Sequence, residues 1–133
     1  MTDANATEFV HQAMPFAALI GVEDVAMAPD GVTARIGWDA TRCTTAGMLH
    51  GGLLMSLADV LGGAAAFQQL PEGAGTATIQ SSTNFLRPVT AGYVEARSTV
   101  LNAGKRVIVV ETRLTDPAGK LVASTVQSQA VLL

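Results

Sequence analysis

One cysteine, Cys43, stands among 133 residues, so no disulfide can form within the chain, and a reducing, cytoplasmic setting is expected. Charge is scarce too: Asp, Glu, Lys and Arg make up 14% of the sequence, with a formal net charge of -3. No run of Lys or Arg is present to follow a phosphate backbone, which sets nucleic acid aside as a partner. Two His residues and one Cys, scattered without ligand spacing, make no metal constellation. Neither a phosphate loop nor a dinucleotide fingerprint occurs, and no cofactor is expected. Met1 to Ala13 has no basic stretch followed by an apolar run, so no secretory signal is read there. Without an internal repeat or low-complexity tract, residues 1–133 read as one domain, long enough for a single core.

Apolar residues are what the chain has in quantity, at 49%. That composition implies more buried surface than a monomer of this size supplies. The most apolar stretch, Met48 to Phe67, approaches membrane-spanning length, but four glycines, Ser56 and Asp59 argue against a span, and no membrane is expected as a partner. Between Arg42 and Glu72 a single side chain carries formal charge, and it is Asp59.

At 3.6 residues per turn, Leu53, Leu54, Leu57, Leu61, Ala64 and Ala65 share one helical face, the stripe expected against a core. Asp59 falls on the opposite face among Gly52, Met55, Gly62, Gly63 and Ala66. A solvated face would carry several charges, so this one is expected to be covered as well. Small residues at Gly62, Gly63 and Ala66 would admit another backbone, and a packing partner would offset a helix-propensity cost of roughly 1 kcal/mol for each interior Gly.

The helix is expected to begin near His50, Gly51 and Gly52. There the first N–H groups lack helical acceptors and the dipole adds partial positive charge, a setting for an anion or a developing oxyanion. Gly51 and Asp59 stand roughly 12 Å apart along one helix at about 1.5 Å per residue, too far to touch one carbonyl. If both serve one site, two antiparallel helices from two subunits must bring them together, which requires a homodimer.

Elsewhere the pattern alternates strands and turns. Residues 1–5 are expected to fray, and Ala6 to Met14 to form a short helix interrupted by Pro15. His11 on that helix reads as a surface residue. From Phe16 the chain becomes strand-like, with Val22 to Ala28 and Val32 to Trp38 flanking a Pro29-Asp30-Gly31 hairpin turn. Thr76 to Phe85 alternates Thr76, Thr78, Gln80, Ser82 and Asn84 on one polar face, either solvated or turned toward a site. Tyr93 to Leu101, Arg106 to Thr115 and Lys120 to Leu132 follow, joined by short turns that make antiparallel neighbours. About six strands with one long helix make an α+β domain in which an antiparallel sheet wraps a central helix.

Gly47, then His50-Gly51-Gly52, then the Leu-Ala-Asp ending at Asp59 resemble the signature of hotdog-fold acyl-CoA thioesterases, in the phenylacetate-pathway (PaaI-type) branch of the 4-hydroxybenzoyl-CoA thioesterase superfamily. Asn84-Phe85-Leu86-Arg87-Pro88 and Gly104-Lys105-Arg106 match similar stretches of that family, and the likeness runs from about Pro15 to the C-terminus. The resemblance implies hydrolysis of an acyl-CoA thioester to a free acid and coenzyme A, with Asp59 as catalytic carboxylate and the Gly51 amide polarising the carbonyl. It further implies that His50 shapes the loop, that Thr78 orients the attacking water, and that the dimer pairs into a homotetramer. Thr44 is a departure, since relatives carry Asn or Gln there to hold the water or thioester.

Whether Asp59 would act as general base or as nucleophile stays open. Gly52 belongs with the helix-start amides. Arg87, Lys105 and Arg106 are the candidates for coenzyme A phosphates, against plain surface charge. Met48, Met55, Phe67 and Phe85 are candidates for the acyl pocket. Two other readings share these residues: a hydratase or dehydratase using His50 with Asp59, and a non-catalytic acyl-CoA-binding module.

Overall fold

The structure, a computed structural model, describes residues 3–133. Met1 and Thr2, part of the terminus expected to fray, lie outside the described residues. Residues 3–5 do not fray; they open helix α1 (Asp3–Ala13). Pro15 ends that helix but also starts α2 (Pro15–Leu19), where strand-like chain was expected. Proline is tolerated at the first helical position because the N–H it lacks has no helical acceptor there. His11, expected on the surface, is half-buried, and its Nε2 lies 2.6 Å from the Val22 carbonyl oxygen.

The hairpin follows as β1 (Val22–Ala28) and β2 (Gly31–Gly37). Two single-turn 3-10 helices, Ala40–Arg42 and Thr45–Gly47, lead into α3 (Gly51–Phe67). Then come β3 (Gly75–Phe85), β4 (Tyr93–Ala103), β5 (Val107–Thr115) and β6 (Leu121–Leu132). The strands form one sheet in the order β1-β2-β4-β5-β6-β3, every neighbour antiparallel. This sheet packs around α3, which touches β2, β3, β4, β5 and β6. It is the hotdog architecture, α+β, with β1 and β3 as the sheet's two edges.

Alternation builds the core. Val32, Ala34 and Ile36 on β2, Val94 and Ala96 on β4, and Ile108, Val110 and Leu114 on β5 face inward and are buried. They meet Leu54, Leu57, Leu61, Ala64 and Ala65 of α3. Each fully buried leucine contributes about 2 kcal/mol of transfer free energy. Gly62 and Ala66 are buried too, so they belong to this chain's own core rather than to the outer face. The reason at Gly62 is local: a Cβ there would collide with the side-chain amide of Gln127 on β6. The outer stripe is left as Gly52, Met55, Asp59 and Phe67, all exposed, with Gly63 half-buried. Of this stripe, Phe67 meets the Phe9 ring of α1 and Asp59 meets Thr78 and Gln127, and each still keeps an exposed surface.

β3 also departs from its expected pattern. The register against β6 slips between Thr78 and Gln80, which pair with Gln129 and Ser128, leaving Ile79 as the extra residue. A bulge of one residue reverses the phase of everything beyond it. Thr76 and Thr78 therefore face the helix, and so do Ser81, Thr83 and Phe85, whereas Gln80, Ser82 and Asn84 turn the other way.

Candidate active site

His50 is the N-cap of α3, in extended backbone at φ -63°, ψ 134°, and its Nδ1 accepts the Gly52 N–H at 2.8 Å. The proton of the neutral ring is then on Nε2. The His50 carbonyl accepts from Leu53 and Leu54 at 3.0 and 3.2 Å. Of the first four amides of the helix, only that of Gly51 has no acceptor among the described residues. Four orphan amides are the rule at a helix start; here those of His50, Gly52 and Leu53 find the Arg42 carbonyl, the His50 ring and the His50 carbonyl, and that of Gly51 is left free.

Gly51 lines a cleft of about 360 Å³ together with Thr44, Met48, Phe85 and Arg87. The Phe85 ring is so close that a Cβ at residue 51 would stand 3.2 Å from its Cζ. The loop before the helix is well tied. Asp39 accepts from the Thr41 hydroxyl at 2.6 Å and the Thr41 amide at 2.9 Å, and those two bonds, with Arg42 nearby, hold its carboxyl below the usual carboxylate range. Arg42 Nη1 donates to the Gly37 carbonyl, and the Arg42 carbonyl accepts from the His50 amide at 3.0 Å. Cys43 is half-buried, its thiol directed at the Asp39 carbonyl.

Halfway along the helix, Thr78 Oγ1 donates to Asp59 Oδ1 at 2.7 Å and Gln127 Nε2 donates to the same oxygen at 2.9 Å. Among the described residues no hydrogen bond reaches Oδ2. Among the described residues one oxygen is thus held by two donors and the other by none. Beside it lies a second cleft of about 330 Å³, whose polar end is Asp59, Thr78 and Gln129 and whose apolar wall includes Phe9, Met14 and Phe67. The rings of Phe9 and Phe67 are 6.2 Å apart between centroids. Among the described residues, no three His, Cys, Asp or Glu side chains lie close enough to share a metal ion.

The family model of the thioesterase superfamily matches residues 46–123, a span that includes Gly51, Asp59, Thr78 and Arg87. The chain belongs to the thioesterase superfamily. A Haemophilus influenzae relative named "Putative esterase" is 32% identical over 102 residues, covering 77% of this chain and 74% of its own. A crystal structure of a Haemophilus influenzae thioesterase is 27% identical and superposes with a TM-score of 0.91 over 99% of this chain and 91% of that one. A mutant thioesterase of Pseudomonas aeruginosa shares the fold, at 24% identity and a TM-score of 0.88, over 95% and 93% of the two chains. Hydrolysis of a thioester is the reaction class that membership supports.

Within this thioesterase-superfamily chain the predicted site residues fall into three groups. Thr44, His50, Gly51 and Arg87 gather at the start of α3, and Gly52 serves the cap. Asp59 and Thr78 meet halfway along the helix. Lys105 and Arg106 sit in the β4–β5 turn at the far end, where Lys105 lines a separate cavity with Gln69 and Leu133. One protomer therefore does not bring Arg87 together with Lys105 and Arg106. Lys120, which sequence reasoning passed over, lies beside Arg87 at the cleft end. Gln127, Gln129, Phe9 and Met14 were passed over as well. Among the described residues no helix is long and apolar enough to cross a membrane.

Proposed function

We propose that the protein is an acyl-CoA thioesterase whose site is completed by a second copy of the chain. The observation that carries this is the pair of unspent groups on α3: the free Gly51 N–H at its start and the free Oδ2 of Asp59 two turns on. Both are needed at one thioester, and one helix keeps them roughly 12 Å apart.

The unpaired edge of β3 supports the partnership. An eleven-residue edge strand with exposed Ile79 and Phe85 is a template for another strand. Thr78 marks the position of Asp59 along that edge, and Phe85 marks that of Gly51. With Ile79 as the extra residue of the bulge, an antiparallel pairing that sets Thr78 opposite Phe85 of the second copy puts the two-fold axis at Ser82. It also brings each Asp59 toward the other copy's Gly51 and covers the apolar outer stripe of α3. A dimer of dimers extends the same reading.

The thioester carbonyl oxygen accepts the Gly51 N–H as it gains negative charge, a donor commonly worth roughly 3 to 4 kcal/mol in the barrier. Asp59 Oδ2 acts on the opposite side. It either takes a proton from the attacking water or attacks the carbonyl itself to give a mixed anhydride, which water then cleaves. In both routes the C–S bond breaks, coenzyme A leaves as its thiol and the acid is released. Single turnover in oxygen-18 water followed by analysis of Asp59 detects the anhydride where water opens it at the Asp59 carbonyl carbon, since the general-base route places all label in the released acid. The acyl body enters the cleft beside Asp59, whose size suits a single aromatic ring or a short to medium chain. Arg87, joined by Lys120, faces the phosphates of coenzyme A, and the second copy contributes Lys105 and Arg106 from its opposite end. A reducing cytoplasmic compartment fits such a substrate.

In the hydratase reading His50 would have to act through Nε2, since its Nδ1 is held by the Gly52 amide. Thiol release from aryl, short-chain and medium-chain acyl-CoA esters tests the proposal. Turnover by the native chain that collapses in Asp59→Asn, with fold and dimer kept, is expected. Undiminished turnover in Asp59→Asn, or tight binding with no native turnover on any ester, would overturn it.

A further inference from the structure

We propose that Gln127 and Gln129 of β6 are positioning residues that aim Asp59, an assignment resting on Asp59 as the catalytic carboxylate. The two amides are 0% and 1% exposed, on the inner face of a strand whose other inward residues are mostly apolar. Burying a primary amide is unfavourable unless its hydrogen bonds are replaced.

Here each bond has a direction. A carboxylate only accepts, so the Thr78 proton is committed to Asp59 and the Gln129 group 2.7 Å from Thr78 Oγ1 is the donating nitrogen, while the Thr76 hydroxyl lies 2.9 Å from the Ala130 carbonyl oxygen and 3.1 Å from Gln129 Oε1. Having accepted from Gln129, Thr78 gives its one proton to Asp59 Oδ1. Gln127 Nε2 supplies the second donor to that oxygen. A carboxylate held twice at one oxygen cannot rotate freely, and the remaining oxygen is presented in a fixed direction.

Two features argue that stability alone does not explain the relay. Gln127 Oε1 is buried with no hydrogen-bond partner among the described residues, a penalty that a leucine or methionine of similar volume would avoid. The helix also gives up a side chain at Gly62 to make room for the Gln127 amide. Gly62, Gln127 and Gln129 thus form a set whose shared effect is the orientation of Asp59.

The test compares Gln127→Met and Gln129→Met with the native chain on an acyl-CoA ester that it turns over, measuring kcat, KM and melting temperature. Each substitution is then repeated in the Asp59→Asn background. Removing the Gln127 donor is expected to lower kcat about tenfold to a hundredfold, the scale of a misplaced catalytic group, with KM within about twofold. Gln129→Met is expected to act in the same direction through Thr78. Neither should lower kcat further once Asp59 is Asn. Should Gln127→Met not fold, Gln127→Asn is read the same way, since it keeps the amide and draws it back by one methylene. A changed melting temperature with native kcat would overturn the relay, as would a loss that persists undiminished in the Asp59→Asn background. Native kcat in Asp59→Asn alone marks the separate failure of the catalytic reading, and the relay falls with it.

Discussion

Thr78 Oγ1 donates to Asp59 Oδ1 across 2.7 Å, so the strand that forms one open edge of the sheet also holds the carboxylate of the central helix. Hydrogen bonds to charged groups contribute about 1.5 to 3 kcal/mol. Thr78→Val keeps the shape and removes the donor; its kcat should fall about tenfold to a hundredfold on that basis. Thr78→Ser should retain most of the native rate. Equal rates for the Val and Ser variants would remove the hydroxyl from the mechanism.

Phe67 bounds the cleft beside Asp59 and faces Phe9 across it. Truncation to Ala opens that wall without touching the polar end. For aryl and short acyl esters the expected result is a rise in KM of about tenfold with kcat held, while longer acyl chains gain relative to short ones. An unchanged chain-length profile would place the acyl group elsewhere.

Much of this was legible from the residues, because the informative signals were local. A lone charge within a long apolar run marked Asp59, alternation marked the strands, and the His-Gly-Gly sequence marked the helix start. The missing parts depended on register and packing. The bulge at Ile79 reverses half of β3, and no alternation count can reveal that, since both faces of the strand carry polar residues. Thr125, Gln127 and Gln129 repeat every second position, a polar pattern that carries no local sign of burial, yet they lie buried beneath α3. Gly62 looked like room for a second subunit, whereas the side chain it accommodates is Gln127 of the same chain. Phe9 and Met14 join the cleft only because α1 folds back over the end of α3, a contact between segments distant in sequence.

Asp39 anchors the loop that carries Thr44 into the cleft, and the Thr41 hydroxyl and amide lower its pKa. A carboxylate with a depressed native pKa contributes stability that is complete above its unfolded value, about 3.9, and lost as pH falls through the native one. The native chain should therefore melt above Asp39→Ala at neutral pH and keep that margin down to about pH 4. Below that the margin should shrink. A difference in melting temperature that stays constant from neutral to strongly acidic pH would show that the charged cap is not what ties the loop.

The central claim is that Gly51 of one chain and Asp59 of another share a thioester, and complementation between two dead variants addresses it directly. Gly51→Pro removes the free N–H while suiting the first helical position after the extended backbone of His50, and the Phe85 ring, 3.2 Å from the Cβ position, has to give by a few tenths of an ångström to admit it. Asp59→Asn removes the carboxylate. Heterodimers of the two, isolated through different affinity tags, carry one intact site and one doubly disabled site. They are predicted to show about half the native kcat per dimer, where either homodimer shows almost none. A heterodimer as inactive as its parents would contradict the shared site.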